Sequence, residues 1–383
     1  MDLSLLNGGG SFPVGAALQL PDNMPIQISD DFGTWLRTEY IETNPANFDG
    51  AYWDHTRATL WAKRLEYTNR SINGASANGN TIVAAVGHNG TDPGGLAVST
   101  DNGITWGSLI VPSGLTGTQN VNAVKWVSAL SLWVAVSSNG LIWTSTDAVT
   151  WTPRTSGTTN ALNAINFANG LLAIVGASGT ILTSANGTSY TVRTSNVTSA
   201  LVSVAFYNNV WLAVGTSTAS QSSRSTDNGV TWTAVTTPGG GTNVSRVITG
   251  NNLFVLVVAN IGVYTSTTGA TGSWTQVLTG TLGLANVSYN GEFYIFTNNN
   301  TLFYKSFDLT KLRPYPHGVG GNATATFLNI TDGRFLATGS DAGSGSGRVL
   351  IGNQLAYAGN PSFAGTQPTS LGNIGTAFYV RIK

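Results

Sequence analysis

Acid–base or metal chemistry in this chain would have to come from a few glutamates, three histidines and scattered aspartates, and their spacing speaks against a shared site. Glu39, Glu42 and Glu66 lie close to the start of the chain, with Glu292 far beyond them. His55, His88 and His317 are widely separated, with no His-x-His or His-x-x-x-His pair to seat a metal. Asp101, Asp147 and Asp227 have the oxygen chemistry of calcium ligands, yet their neighbours supply no second carboxylate, so they read as turn residues. Gly239-Gly240-Gly241 lacks the Lys-Ser/Thr that a phosphate-cradling loop requires. Arginines 154, 193, 224, 246, 313, 334 and 348 are scattered, and Arg154 and Arg193 occupy matching positions, which implies a repeated structural role. These residues predict no catalytic site, no metal and no cofactor.

The elements that would position any site come from a repeat. Ser99-Thr100-Asp101-Asn102-Gly103-Ile104-Thr105-Trp106 returns as Ser225-Thr226-Asp227-Asn228-Gly229-Val230-Thr231-Trp232, 126 residues on, or three periods of about 42. Degraded copies lie between them, at 145–151 with Asp147 and Trp151 and at 184–190, and a further one follows at 266–274. Around each copy stand short β-branched and aromatic runs, such as 132–136, 171–176, 210–215 and 253–258, bounded by Asn and Gly and too short for helices. Each unit therefore reads as four antiparallel strands, a to d. Units are expected near 80–112, 119–157, 160–195, 200–238, 242–280, 281–318 and 323–355. Seven in succession predict an all-β protein, a seven-bladed β-propeller of four-stranded blades. The seventh unit lacks an outer strand, while a spare one, Thr59-Leu60-Trp61-Ala62-Lys63-Arg64, precedes the first. Residues 59–66 are accordingly expected to complete the last blade, so that the propeller spans 59–355.

In the turn motif the Asp and Ser can hydrogen-bond the turn backbone, Gly supplies a positive φ, and the Trp is expected to pack beneath the next strand. Ser99, Asp101, Gly103, Trp106, Asp147, Trp151, Ser225, Asp227, Gly229 and Trp232 are thus structural candidates. The aromatic pairs Trp133/Trp211 and Trp126/Tyr207 recur at strand positions and read as core.

Charged residues are only 9 % of the chain, and seventeen basic residues balance seventeen acidic ones. Such a surface predicts neither a nucleic-acid partner nor an anionic membrane. No run of about 18 apolar residues predicts a membrane span, and no basic, apolar leader is visible at the first residues. There is no cysteine, hence no disulfide. The sequons at Asn69, Asn89, Asn186 and Asn196 are what this Asn- and Thr-rich composition gives by chance, and they read as unmodified.

Residues 1–58 and 356–383 fall outside the repeat and are expected to form a small β attachment module. Leu20-Pro21-Asp22, Thr34-Trp35-Leu36-Arg37-Thr38 and the closing Phe378-Tyr379-Val380-Arg381-Ile382-Lys383 together resemble the ends of tail-fibre and tail-tip proteins of tailed bacteriophages. The turn motif resembles the Asp box (BNR-like repeat) that such flanks often surround. The resemblance implies a virion tail component made in a bacterial cytoplasm, with other tail proteins and a host cell-surface glycan or protein receptor as partners. By analogy with phage fibres it also implies a homotrimer. A purely structural tail decoration protein and a lectin-like carbohydrate-binding propeller remain alternatives. Propeller-type photosynthetic assembly factors carry similar repeats, but they are exported and the flanks here do not match that role. Sialidases also carry Asp boxes, but the Arg clamp, the Tyr–Glu pair and the Phe-Arg-Ile-Pro-type signature are missing.

Binding, in this reading, belongs to long loops on one face: 87–95, 215–224 and 338–347 between strands b and c, and 314–321 between d and a. Their polar and aromatic residues, His88, Asp92, Arg224, Tyr315, His317 and Asp341, could hold a saccharide by stacking and hydrogen bonds. Solvated loops or subunit contacts are the plainer alternative.

Overall fold

The computed structural model describes residues 17–21, 35–38, 61–216, 221–239, 244–279, 284–291, 293–298, 302–316, 327–329, 335–340, 347–352 and 376–381. Every sheet among them is antiparallel, and the fold is all-β. The repeat units form one sheet after another. The first is three-stranded: Ile72–Asn78, Thr81–Val86 and Gly95–Ser99. The second runs Val121–Val127, Leu132–Ser137, Ile142–Ser145 and Thr152–Arg154. The third runs Leu162–Ala168, Leu171–Gly176, Ile181–Ser184 and Thr191–Arg193. In the fourth are Leu201–Tyr207, Val210–Gly215, Gln221–Ser225 and Thr233–Thr236. The fifth holds Val244–Gly250, Leu253–Val258, Gly262–Ser266 and Thr275–Thr279. Leu284–Tyr289, Tyr294–Asn298, Leu302–Ser306 and Arg313–Pro316 make the sixth.

The next sheet draws on both ends of the repeat region. Phe327–Asn329, Phe335–Ser340 and Gly347–Gly352 are joined by Trp61–Tyr67, whose Ala62 and Glu66 lie opposite Ile351 and Arg348. A separate three-stranded sheet places Thr376–Arg381 between Ala17–Pro21 and Trp35–Thr38, so it too mixes the two flanks.

Two differences from the sequence reading concern the first unit. Its first strand begins at Ile72, ahead of the expected 80, because Ile72-Asn73-Gly74-Ala75-Ser76-Ala77-Asn78 carries almost no β-forming signal and becomes a strand by pairing with Thr81–Val86. Its fourth strand is absent. After Trp106 come Gly107-Ser108 and then Pro112, poor strand formers, and only a bridge between Leu96 and Ile110 remains.

Strand b explains why the apolar runs are continuous rather than alternating. Both of its faces are buried, each against a different neighbouring sheet. Ile174 joins Val134, Val136 and Ile142 of the sheet before, whereas Val175 joins Leu201, Trp211 and Ala213 of the sheet after. The same sharing links the fourth sheet to the fifth through Leu212, Val214, Phe254 and Leu256, and the fifth to the sixth through Val255, Val257, Phe296 and Tyr304. Ile72, Ile82 and Val86 of the first sheet pack with Leu336 and Val349 of the last. Trp133 and Trp211 are fully buried, as read from their recurrence, and Trp126 and Phe206 lie against them as tilted rings with centroids 5.1 and 4.9 Å away.

Strand a of each sheet touches strand a of the next, which puts this strand at the edge where the sheets converge. All six a strands from Ile72–Asn78 to Leu284–Tyr289 carry a bulge between their first and third residues. The residue held out by that bulge is Asn in the first three. Asn73 Nδ2 donates to the Val121 carbonyl at 2.8 Å, Asn122 to Leu162 at 2.9 Å and Asn163 to Leu201 at 2.9 Å. Where Asn gives out, hydroxyls replace it: Ser203 Oγ donates to the Val247 carbonyl at 3.0 Å and Thr249 Oγ1 to that of Phe206 at 2.8 Å. Asn122→Ala leaves a carbonyl at the converging edge without its amide and is expected to cost about 1–2 kcal/mol. A lower urea midpoint at unchanged slope reports that loss, and an unshifted midpoint would show that the amide contributes nothing.

Candidate functional site

The turns between strands c and d hold most of the chain's distinctive residues, and their hydrogen bonds are consumed internally. Ser99 Oγ donates to Asp101 Oδ1 at 2.8 Å and accepts the Gly103 N–H at 2.8 Å. Asp101 accepts the Thr105 N–H at 2.9 Å and the Thr105 hydroxyl at 2.5 Å. Trp106 Nε1 closes the turn on the Gly103 carbonyl at 3.0 Å. Ser225, Asp227, Gly229, Thr231 and Trp232 repeat this set at 2.8, 2.9, 2.9, 2.5 and 3.1 Å. Degraded copies keep what their residues allow. Ser145 donates to Asp147, which accepts the Thr150 N–H at 2.7 Å, and Trp151 Nε1 reaches the Ala148 carbonyl at 3.0 Å. In the next, Asn186 replaces Asp and the Tyr190 hydroxyl replaces the indole.

Gly103 and Gly229 both have φ 78°, a left-handed value that costs an L residue about 1–2 kcal/mol. Gly229 also lies against the preceding sheet, where an added Cβ would stand 2.6 Å from Leu171 Cδ2. The indoles follow the same direction. Trp232 is 2 % exposed among Ala173, Val175 and Ile181, and Trp151 is 8 % exposed among Val83, Ala85 and Leu96. They therefore cover the sheet before their own rather than packing beneath the next strand. Trp106 is only half-buried, because the sheet it belongs to has no fourth strand to seat it. A further turn of this kind, Ser306-Phe307-Asp308, escaped the sequence reading. Its Ser306 Oγ accepts the Leu309 N–H at 3.0 Å and its Asp308 the Thr310 N–H at 2.9 Å. The Ser-x-Asp triplet was the signal, masked because Leu309 follows the Asp and no Trp closes the turn.

Each turn carboxylate accepts several N–H and O–H bonds at the surface, and these hold its pKa below the ordinary aspartate range. Asp101 and Asp227 are lowered to about 2, chiefly by the Thr105 and Thr231 side chains. Asp147 is lowered to about 2, chiefly by the Thr150 N–H. The matched arginines are likewise occupied: Arg154 Nε donates to Thr144 Oγ1 at 2.9 Å and Arg193 Nε to Thr183 Oγ1 at 2.8 Å.

Of the six residues proposed to bind, four lie among the described residues, and these do not gather at one site. His88 and Asp92 do share the loop 87–94, which is built rather than slack. Arg70 Nη1 donates to the Gly87 and Pro93 carbonyls at 3.1 and 2.7 Å, and its other nitrogen lies 3.8 Å from Asp92 Oδ2. His88 Nδ1 accepts the Gly90 N–H at 2.9 Å, and Asn89 bonds Asp92. Arg224 is no loop residue. It lies in strand Gln221–Ser225 opposite Leu212 and Thr233, next to the Ser225 turn, and its Nε donates to the Thr268 carbonyl of the next sheet at 2.8 Å. That places it at the c–d end of its sheet, opposite the b–c end that carries His88. The register misplaced it because strand c continues through the polar run Gln221-Ser222-Ser223-Arg224. Tyr315 lies in strand Arg313–Pro316, opposite Phe303, and His317 and Asp341 lie outside the described residues. Among the described residues, no three His, Asp or Glu side chains are grouped to hold a metal ion, and no helix is long and apolar enough to cross a membrane.

No family model matches the chain, and none of the curated proteins matches it. Solved structures do. A structure of YCF48 bound to D1 peptide superposes with a TM-score of 0.61 at 13 % identity, covering 79 % of this chain and 98 % of that one. YCF48 from Cyanidioschyzon merolae gives 0.58 at 14 % identity, covering 77 % and 99 %. The fold is a β-propeller. A computationally designed protein, Ika8, is similar over 73 % of this chain and 96 % of its own, with a TM-score of 0.50 and 11 % identity. At such identities the likeness concerns the propeller fold alone.

The turn geometry generates two expectations. Asp227→Ala should lower propeller stability by about 1 kcal/mol, the net value of exposed turn hydrogen bonds, whereas Trp232→Ala should cost about 3–5 kcal/mol; equal losses in thermal melts would contradict the burial difference. The carboxylates also set a pH response. Their folded pKa values lie below the unfolded value near 4, so their contribution is complete above about pH 4 and is lost as pH falls towards 2. Wild type should therefore lose stability more steeply through that window than an Asp101→Ala/Asp227→Ala double variant, and parallel pH profiles would remove the carboxylates from the account.

Proposed function

We propose that the seven repeat sheets close into a seven-bladed ring and that this ring is the non-catalytic, receptor-binding part of a tailed-phage tail component. It would be mounted through the sheet formed by the two chain ends. The observation that carries the mounting is the strand order of that sheet: Thr376–Arg381 lies between Ala17–Pro21 and Trp35–Thr38, so both flanks contribute to one unit outside the repeat. A three-stranded sheet is stable only if its apolar residues are covered, so it gains from a partner surface. These are also the residues that resemble tail-fibre and tail-tip ends, which argues for other tail proteins, with three copies of this chain, as that partner. Closure of the ring is supported by the pairing of Trp61–Tyr67 with Gly347–Gly352 and by the packing of Ile72 and Ile82 against Leu336 and Val349.

A binding rather than a catalytic role is supported by how the polar groups are used. The turn carboxylates, Arg154 and Arg193 are bonded within their own sheets. The braced loop 87–94 presents an exposed Asp92 on a rigid scaffold, suited to a glycan or protein surface. Immunogold labelling with antibodies to residues 61–352 tests the assignment on particles from the producing culture. Gold at the tail is expected, and unlabelled particles beside a reactive cell lysate would overturn it. Purified full-length chain should also block adsorption of those particles to their host; labelled tails with unblocked adsorption would leave decoration as the role.

A further inference from the structure

The a strands, which converge where the sheets meet, are apolar or neutral at nearly every position. Across the six from Ile72–Asn78 to Leu284–Tyr289, together with Phe327–Asn329, there is no carboxylate, and the charged side chains are Lys125 and Arg246 alone. Both break the pattern of their repeat position. Arg246 lies opposite Val257, where the other five sheets hold Gly74, Ala123, Ala164, Ser203 and Asn286. Lys125 lies opposite Val134, where the other five hold Ser76, Asn166, Ala205, Ile248 and Ser288. At each position a cation stands where all five counterparts are uncharged.

Neither cation is neutralised. Arg246 Nε is buried without a hydrogen-bond partner, and no ion pair engages either residue among the described residues. The two belong to the second and fifth sheets, so in a ring of seven they stand on opposite sides of the central channel. In such a ring both side chains belong to the strands that line the same central space. Burial pushes the Lys125 ammonium pKa down, and the positive charge of Arg246 pushes it down further. Burial also lowers that of Arg246. Two like charges on converging strands whose described residues carry no carboxylate are unfavourable on their own, and a counter-ion held between them resolves both the repulsion and the orphaned N–H.

We infer that the central channel is an anion-binding site in which Arg246 and Lys125 grip a small dianionic oxyanion of the phosphate or sulfate class from opposite sides. Arg246 supplies the directional fork and Lys125 the point charge. The inference rests on the ring reading proposed above. It gives the ring a ligand that also acts as a fastener, since the anion links two sheets that share no direct packing.

Thermal melts of the full chain at constant ionic strength, with inorganic phosphate or sulfate replacing chloride, test it. A saturable rise of a few degrees is expected in wild type, as binding to the folded state alone requires, with acetate giving less. Arg246→Gln and, separately, Lys125→Gln should each weaken the apparent affinity about tenfold while melting no lower than wild type in chloride, because each relieves the repulsion. Arg224→Gln, on the outer part of the propeller, should leave the response intact. Absence of a saturable rise, or an unchanged one in both channel variants, would overturn the site. Small-angle scattering of the same samples separates the causes. A compact disc without an anion response removes the site alone, whereas an open, extended particle removes the ring reading and the site with it.

Discussion

A sheet of three or four short strands that is apolar on both sides has two faces to cover, and either one left in water destabilises it. From the first to the fifth sheet each face is covered by a neighbouring sheet, so the second strand of each is buried on both sides and none of these units has a private core. That mutual cover constrains everything else. The converging strands must approach closely, which favours small residues at Gly74, Ala123 and Ala164 and leaves backbone carbonyls facing their neighbours. The bulged asparagines answer those carbonyls, and the indoles of the c–d turns close the outer side of the same interfaces. The sheets are thus joined at their inner edges by amides, in the middle by aliphatics and near the c–d turns by tryptophan.

Mutual cover also explains why the fold tolerates so much sequence change. What each interface needs is an apolar pair of faces and a turn that satisfies its own backbone, and many residues meet that need. The turns show the tolerance directly: Asp147 does what Asp101 does without the glycine, and Asn186 with Tyr190 does it with neither Asp nor Trp. Propellers with 13 or 14 % identity over most of the chain are the expected result. The same economy limits inference about function, because residues devoted to the interfaces say nothing about what the loops touch.

The period, the order of strands within a unit and the structural role of Asp101, Asp227 and the matched arginines were legible in the sequence because each rests on a local and repeated physical requirement. What escaped was non-local or lacked repetition. Ile72–Asn78 is a strand by virtue of its partner rather than its residues, and the missing fourth strand after Trp106 is a loss that a periodic template conceals. Arg224 was assigned to a loop since a polar strand resembles one, and its bond to Thr268 depends on a neighbouring sheet. Arg246 was read only as one of the scattered arginines, and Lys125 carried no motif to single it out. That both lie on converging strands depends on the arrangement of whole sheets, which no spacing along the chain encodes.

The pairing of Trp61–Tyr67 with Gly347–Gly352, and of Ala17–Pro21 and Trp35–Thr38 with Thr376–Arg381, has a consequence in time. On the ribosome, three strands near the start of the chain emerge first and find their partners last, after every intervening sheet has been made. Until then they are open strand edges, the kind of surface through which nascent chains of this size associate wrongly. Two chains growing side by side could each lend these early strands to the other's late ones, so the seam that completes the monomer is also the place where neighbouring copies would exchange.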